Sequence, residues 1–238
     1  SEMCIRDSAA AVSHGITVSN TPGVLTDATA DLTLTLMLML CRRAGEGERE
    51  LRAGEWSGWR PTHLVGRQMT GKTLGIIGMG RIGRAVAHRA HFGFGMEIVF
   101  QNRSPVDNGA GVGGRQLASV AEVCAASDFV SLHCAATPET RHILGREALA
   151  AMSPSAYVIN TARGDVVDED ALVAALESGA IGGAGLDVFQ GEPKVNPAIM
   201  AAPNTVLLPH LGSATEETRV AMGMKLSLIH ISEPTRQL

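Results

Sequence analysis

Apolar positions along the chain gather into short runs, and most of these runs alternate with segments of helical period. The run at 73–77 predicts a strand buried on both faces, with a helix following over 81–90. Further strands are expected at 96–100, 128–133, 156–160, 182–188 and 205–208, with helices at 117–126, 146–152 and 169–178 between them. Such alternation implies a parallel, doubly wound α/β sheet with right-handed crossovers. Ahead of it, residues 27–43 are apolar on nearly all sides and predict a hinge helix buried between two bodies. A last helical pattern covers 215–224 and is lost in the tail SLIHISEPTRQL. Near the start, a helical turn at 9–12 and a weak strand at 15–19 precede the turn signal Asn20-Thr21-Pro22-Gly23.

Between the first strand and its helix the sequence reads GMGRIG, with Gly78, Gly80 and Gly83 at the spacing of a dinucleotide-binding turn. Each glycine has a physical task. Gly78 permits the tight turn, Gly80 lets backbone approach a pyrophosphate without a Cβ in the way, and Gly83 lets the helix pack closely on the strand. The N–H groups and positive dipole end of that helix then face the phosphates.

Composition narrows the partner. Hydrophobic residues make up 45% and charged residues 18%, and the net charge of -4 does not point to nucleic acid or a membrane surface. A small molecule is the expected ligand. Cys4, Cys41, Cys124 and Cys134 lack metal or CxxC spacing and read as reduced thiols of a cytoplasmic protein. The most apolar run, 32–40, is bounded by Asp31, Arg42 and Arg43 and falls far short of the ~20 residues of a membrane span. No secretory signal pattern opens the chain. The polar stretch 45–61 holds both tryptophans, Trp56 and Trp59, in a chain with 3% aromatic residues. They either contact a partner or pocket, or pack beneath a loop.

In an open α/β sheet a ligand lies beyond the carboxyl ends of the strands, so charged residues there carry most weight. Arg163 follows the strand at 156–160, Asp187 and Glu192 follow that at 182–188, and His210 follows that at 205–208. This set suits reduction of a 2-keto acid. A planar guanidinium grips a carboxylate with paired hydrogen bonds and polarises the adjacent carbonyl, the part expected of Arg163. Charge growing on the carbonyl oxygen needs a proton from an acid titrating near neutrality, the part expected of His210. Glu192 against the other ring nitrogen fixes the tautomer and favours the imidazolium. Asp187 either touches the nicotinamide side of a cofactor or caps its turn, while His88, His91 and His142 read as surface groups.

Cofactor choice turns on the end of the second strand, where an NAD site usually places a carboxylate for the ribose hydroxyls. Here Phe100 is followed by Gln101, Asn102, Arg103 and Ser104, which offer donors and a positive charge to a 2′-phosphate. NADP is therefore expected over NAD.

Taken in order, the segments GITVSNTPGVLTDATADL, GEWSGWRPT, GKTLGIIGMGRIGRAVAHRA, NRSP, NTARGDVVDEDAL, GAGLDVFQGEP and LLPHLGSAT resemble the D-isomer-specific 2-hydroxyacid dehydrogenases, nearest the glyoxylate/hydroxypyruvate reductase branch. The resemblance covers residues 9–224. It implies a Rossmann domain with the remnant of a flavodoxin-like substrate domain, and reduction of glyoxylate or hydroxypyruvate by NAD(P)H, this chain being expected to be an impaired fragment of such an enzyme. It assigns substrate binding to Arg163, proton donation to His210 and the supporting carboxylate to Glu192. Cofactor contacts are implied at Gly78, Gly80, Arg81, Ile82, Gly83, Asn102, Arg103, Ser104, Thr161, Ala162, Asp187 and Gly212. In similar reductases the arm carrying Trp59 reaches the partner subunit's active site, so a homodimer is implied, with Trp59 near the substrate. A second reading on the same scaffold is a dinucleotide-sensing interaction protein of the corepressor kind.

The chain also departs from the family's pattern. The glycine-containing loop that binds the substrate carboxylate in relatives does not appear, and Ala135 stands where many carry proline. The segments SEMCIRDS and LSLIHISEPTRQL look like translated non-coding sequence. The expected organisation is a non-native 1–8, a substrate-domain remnant at 9–23, and a hinge helix with dimerisation arm at 24–69. The nucleotide domain then spans 70–209, a returning helix 210–226, and a non-native end 227–238.

Overall fold

The structure, a computed structural model, describes residues 13–15, 21 and 23–231. The turn of helix expected at 9–12 and nearly all of the strand expected at 15–19 lie outside the described residues.

Seven parallel strands form one sheet in the order β3-β2-β1-β4-β5-β6-β7. They are β1 (Thr73–Ile77), β2 (Glu97–Gln101), β3 (Arg115–Gln116), β4 (Phe129–Leu132), β5 (Tyr157–Asn160), β6 (Gly183–Leu186) and β7 (Thr205–Leu207). The chain thus winds outward from β1 to one side, returns, and winds out to the other. Such an order makes a switch point between β1 and β4, where an open α/β sheet binds its ligand.

Alternation along each strand divides the core into two layers. Leu74, Ile76, Ile98, Phe100, Phe129, Tyr157 and Ile159 face one layer, with Leu36, Met37 and Leu40 of α1 (Thr26–Cys41) and Val86, Ala87 and Ala90 of α3 (Arg81–Phe94). Ile77, Val99, Val130, Leu132 and Val158 face the other. There they meet α4 (Val120–Ala125), α5 (Arg146–Ala150) and α6 (Glu169–Glu177). Both faces are covered, which is why these strands read as continuous apolar runs. The doubly wound fold expected from the pattern is the fold observed.

Four details differ from the sequence reading. First, α1 keeps a solvent stripe of Asp27, Asp31, Thr35 and Leu38 and docks its other faces on the sheet. Arg89 of α3 reaches that stripe, donating to Asp31 Oδ1 at 2.7 Å and Asp27 Oδ1 at 2.8 Å. Second, the polar arm holds a helix, α2 (Ala44–Arg52), with no buried residue. Its two glycines and lack of an apolar stripe hid it, while Arg43–Glu46 and Glu48–Arg52 pairs support it at helical spacing. Third, the two-residue β3 and the short α7 (Pro197–Ala201) carry too few residues to show a period. Fourth, α8 (Glu216–Ile231) runs past the expected end at 224. Among the described residues, no helix is long and apolar enough to cross a membrane.

Candidate active site

Every residue singled out from the strand ends lies along the carboxyl edge of the sheet, in strand order. The loop after β2 carries Asn102, Arg103 and Ser104, that after β1 the glycine turn, and that after β5 Thr161, Ala162 and Arg163. Next come Asp187 and Glu192 after β6, then His210 and Gly212 after β7. Register places Asn160 beside Leu186 and Leu186 beside Leu207, so the last three loops leave adjacent strands at the same level.

The glycine turn divides its tasks unequally. Gly78 has φ +97°, and a Cβ there would lie 2.6 Å from Cys134 N. A Cβ on Gly83 would lie 2.4 Å from Gly78 O, so these two positions are demanded by the protein's own packing. At Gly80, by contrast, a Cβ would meet no atom within 4 Å. Gly80 is also the N-cap of α3, and no side chain caps that end. The open space and the uncapped helix terminus fit a pyrophosphate. Asn102 Oδ1 accepts from Met79 N at 3.1 Å and ties the turn to the loop after β2. Gln116 shapes that loop in turn: its Nε2 donates to Asn102 O at 3.0 Å and its Oε1 accepts from Val106 N at 3.0 Å. Arg103 and Ser104 stay exposed.

After β5, Asn160 staples the turn by donating to Arg163 O at 2.9 Å and accepting from Ala162 N at 3.0 Å. Arg163 Nη1 donates to Ala162 O at 2.6 Å. Gly164 fits directly against the next loop, for a Cβ there would lie 2.0 Å from the carbonyl carbon of Phe189. Backbone contact therefore fixes the Arg163 turn relative to the Glu192 turn.

The Glu192 turn is held from behind. Glu169, 5% exposed, accepts from Gln190 N at 2.7 Å, and burial pushes its carboxyl above the usual range. Gln190 Nε2 donates to Val167 O at 2.6 Å and lies 2.9 Å from His142 Nε2. His142 is thus part of an internal network rather than the surface group expected. Glu192 Oε1 accepts from Phe189 N at 2.9 Å, which aims Oε2 outward.

That second oxygen lies 2.8 Å from His210 Nδ1. An ionised carboxylate only accepts, so Nδ1 carries its hydrogen and Nε2 is the atom left for proton exchange. His210 itself has φ +57°, a left-handed setting that is uncommon for a non-glycine residue and costs about 1 kcal/mol or more unless its surroundings favour it. Asp187 supplies part of those surroundings. It is 1% exposed, and its two oxygens accept from Leu211 N at 2.6 Å and Gly212 N at 2.8 Å. Burial raises its pKa, while those two backbone donors and the nearby His210 pull it back. Of the two sequence alternatives, the turn-holding part is the one these hydrogen bonds serve.

Trp59 is 82% exposed and Trp56 53% exposed on the arm beyond α2. A shallow cleft of about 290 Å³ at Trp56 is lined also by Leu51, Leu64, His63 and Glu50. Sequence reasoning missed Glu169 and Gln190, although the spacing of Asp168 and Glu169 ahead of an apolar helical run marks them as helix-start residues.

Residues 34–212 match the family described as D-isomer specific 2-hydroxyacid dehydrogenase, NAD binding domain. The chain is 48% identical over 216 residues to a glyoxylate reductase of Thermococcus litoralis, covering 89% of this chain and 65% of that protein. It is 47% identical to glyoxylate/hydroxypyruvate reductase B of Pectobacterium carotovorum, covering 87% of this chain and 65% of that one. Among solved structures it resembles an NADPH-dependent glyoxylate/hydroxypyruvate reductase of Sinorhizobium meliloti in complex with NADP and malonate. That match has a TM-score of 0.84 and 39% identity, covering 92% of this chain and 67% of that one. The chain spans about 65% of the length of the curated relatives named here. It belongs to the D-isomer specific 2-hydroxyacid dehydrogenases and carries their nicotinamide-dinucleotide-binding domain.

Proposed function

We propose that the chain works in reduction of glyoxylate or hydroxypyruvate to the 2-hydroxy acid, with NADPH preferred over NADH. The observation that carries this reading is the 2.8 Å pair of His210 and Glu192 on the sheet edge that also bears Arg163 and the open glycine turn. When bound, the cofactor supplies the hydride. Arg163 pairs with the substrate carboxylate and draws electron density from the neighbouring carbonyl. His210 gives the proton from Nε2 to the carbonyl oxygen, and Glu192 stabilises the charged ring through Nδ1–H. Gly80, Arg81, Ile82 and Gly83 would hold the pyrophosphate. Thr161, Ala162, Asp187 and Gly212 would border the nicotinamide half.

The NADP preference rests on Arg103 and Ser104, which stand exposed at the end of β2 with no carboxylate among residues 101–104. The exposed Trp59 fits a surface covered by a second copy of the chain near the substrate, as does the apolar cleft beside Trp56. In this reading residues 24–69 form the hinge helix and arm, and 70–209 the nucleotide domain. Relatives named as reductases leave the dinucleotide-sensing alternative without support.

The test is loss of NADPH absorbance on adding glyoxylate to the purified chain, alongside a His210→Ala variant. Turnover that disappears in the variant supports the reading. Cofactor binding with no turnover of either keto acid contradicts it.

A further inference from the structure

The loop carrying His210 is gripped from a second side, by the hinge helix. Thr29 of α1, 3% exposed, donates its hydroxyl proton to Gly212 O at 2.9 Å, across 183 residues of sequence. Gly212 is therefore held at both backbone groups, its N–H by Asp187 and its C=O by Thr29. Two other threonines of the same helix behave differently. Thr33 and Thr35 donate to the carbonyls of Thr29 and Asp31, four residues back, the usual outlet for a helical threonine. Thr29 alone of the three sends its proton to the catalytic edge.

One turn along, Thr33 adds a second tie. Its proton is committed to Thr29 O, so at the 3.0 Å contact between Thr33 Oγ1 and Thr161 Oγ1 the donor is Thr161. The helix thus touches the loops after β5 and β7 through hydroxyls one turn apart.

We propose that Thr29 is a positioning residue for His210, holding Gly212 so that the histidine two residues earlier keeps its setting toward Glu192. This inference rests on the assignment of His210 as proton donor. The left-handed backbone at His210 carries a conformational cost that contacts from outside the loop offset. Asp187 alone fixes only the N–H side, and the loop can pivot about those bonds unless the carbonyl is also held.

The experiment compares Thr29→Val, which keeps the shape and removes the hydroxyl, with Thr29→Ser, which keeps the hydroxyl. Amide hydrogen exchange is read at Leu211 and Gly212, with β5 amides as the control for global folding. In the unsubstituted chain both amides exchange slowly. Thr29→Val speeds them about fivefold or more, as expected for one lost hydrogen bond, and leaves β5 unchanged. Thr29→Ser restores protection. In turnover assays the valine variant loses kcat by a similar factor with KM for glyoxylate unchanged, and serine rescues it. Fast exchange at both amides in the unsubstituted chain overturns the proposal, and this holds even if Thr29→Val does not fold. Unchanged exchange in a folded Thr29→Val, or equal impairment by valine and serine, also overturns it. If the unsubstituted chain turns over no keto acid, the reductase reading fails, while the exchange data still decide whether Thr29 holds the loop.

Discussion

His210 Nδ1 and Glu192 Oε2 stand 2.8 Å apart, although 18 residues and a strand separate them in sequence. In the proposed reaction this pair leaves Nε2 as the ring nitrogen that gives the proton. His210→Ala should therefore lower kcat by roughly 10²–10⁴-fold while leaving NADPH affinity within about twofold. Glu192→Gln removes the charge that stabilises the imidazolium and leaves one acceptor oxygen for the two N–H donors of Phe189 and His210, yet should cost less than the alanine variant of His210. Steady-state kinetics with a fluorescence titration of NADPH separates the two effects.

Arg163 is assigned the substrate carboxylate, so its loss should act on KM as well as kcat. Lysine supplies the charge without the paired donors. Arg163→Lys is expected to raise KM for glyoxylate by about tenfold or more, the equivalent of one charge-assisted hydrogen bond. A KM unchanged in this variant would remove Arg163 from the substrate site.

Gly164 has no room for a methyl group, because the Phe189 carbonyl carbon would lie 2.0 Å from its Cβ. The obstacle is backbone and cannot rotate away. Gly164→Ala should destabilise the fold by about 3 kcal/mol, and displace the Arg163 turn from the Glu192 turn. Urea unfolding measures the first effect, and loss of activity in the fraction that remains folded measures the second.

How far the sequence foretold this site depends on what held each part in place. The strand runs at 73–77 and 156–160 are apolar because both sheet faces are covered, so the fold was legible from pattern alone. Arg163, Glu192 and His210 could be placed on one edge of the sheet because each follows a strand of the alternating pattern. Their supports could not be. Asp187 binds Leu211 and Gly212, Thr29 binds Gly212, and Glu169 binds Gln190, all through backbone atoms that leave no mark on side-chain spacing. Residues 27–43 looked apolar all round because the exposed stripe of α1 holds only Asp27, Asp31, Thr35 and Leu38, one of them apolar. The arm helix α2 has no buried residue, so no apolar stripe marks it.

His133, at the end of β4, pairs with Ser131 Oγ at 2.8 Å, and burial pushes its pKa down from 6.5 to about 3. The folded protein therefore keeps this ring neutral while the unfolded chain takes up a proton below pH 6.5. Stability should be lost as pH falls from 6.5 toward 3, each unit of depression being worth about 1.4 kcal/mol at most. Urea midpoints measured down this range should decline more steeply for the unsubstituted chain than for His133→Gln. Parallel declines would show that other groups control acid sensitivity.

Arg103 lies exposed beyond β2 and is assigned the 2′-phosphate. Arg103→Ala should weaken NADPH by about tenfold and leave NADH within about twofold, since only the former carries that phosphate. Equal weakening of both cofactors would place Arg103 elsewhere in the site.

Hydride transfer itself is the most direct test of the account. NADPH carrying deuterium at the transferring position of the nicotinamide ring is incubated with the chain and glyoxylate, and the product is analysed by mass spectrometry. Glycolate with one deuterium on the hydroxyl-bearing carbon is expected, and is absent with His210→Ala. Glycolate without the label, or no glycolate from a chain that binds NADPH, would contradict it.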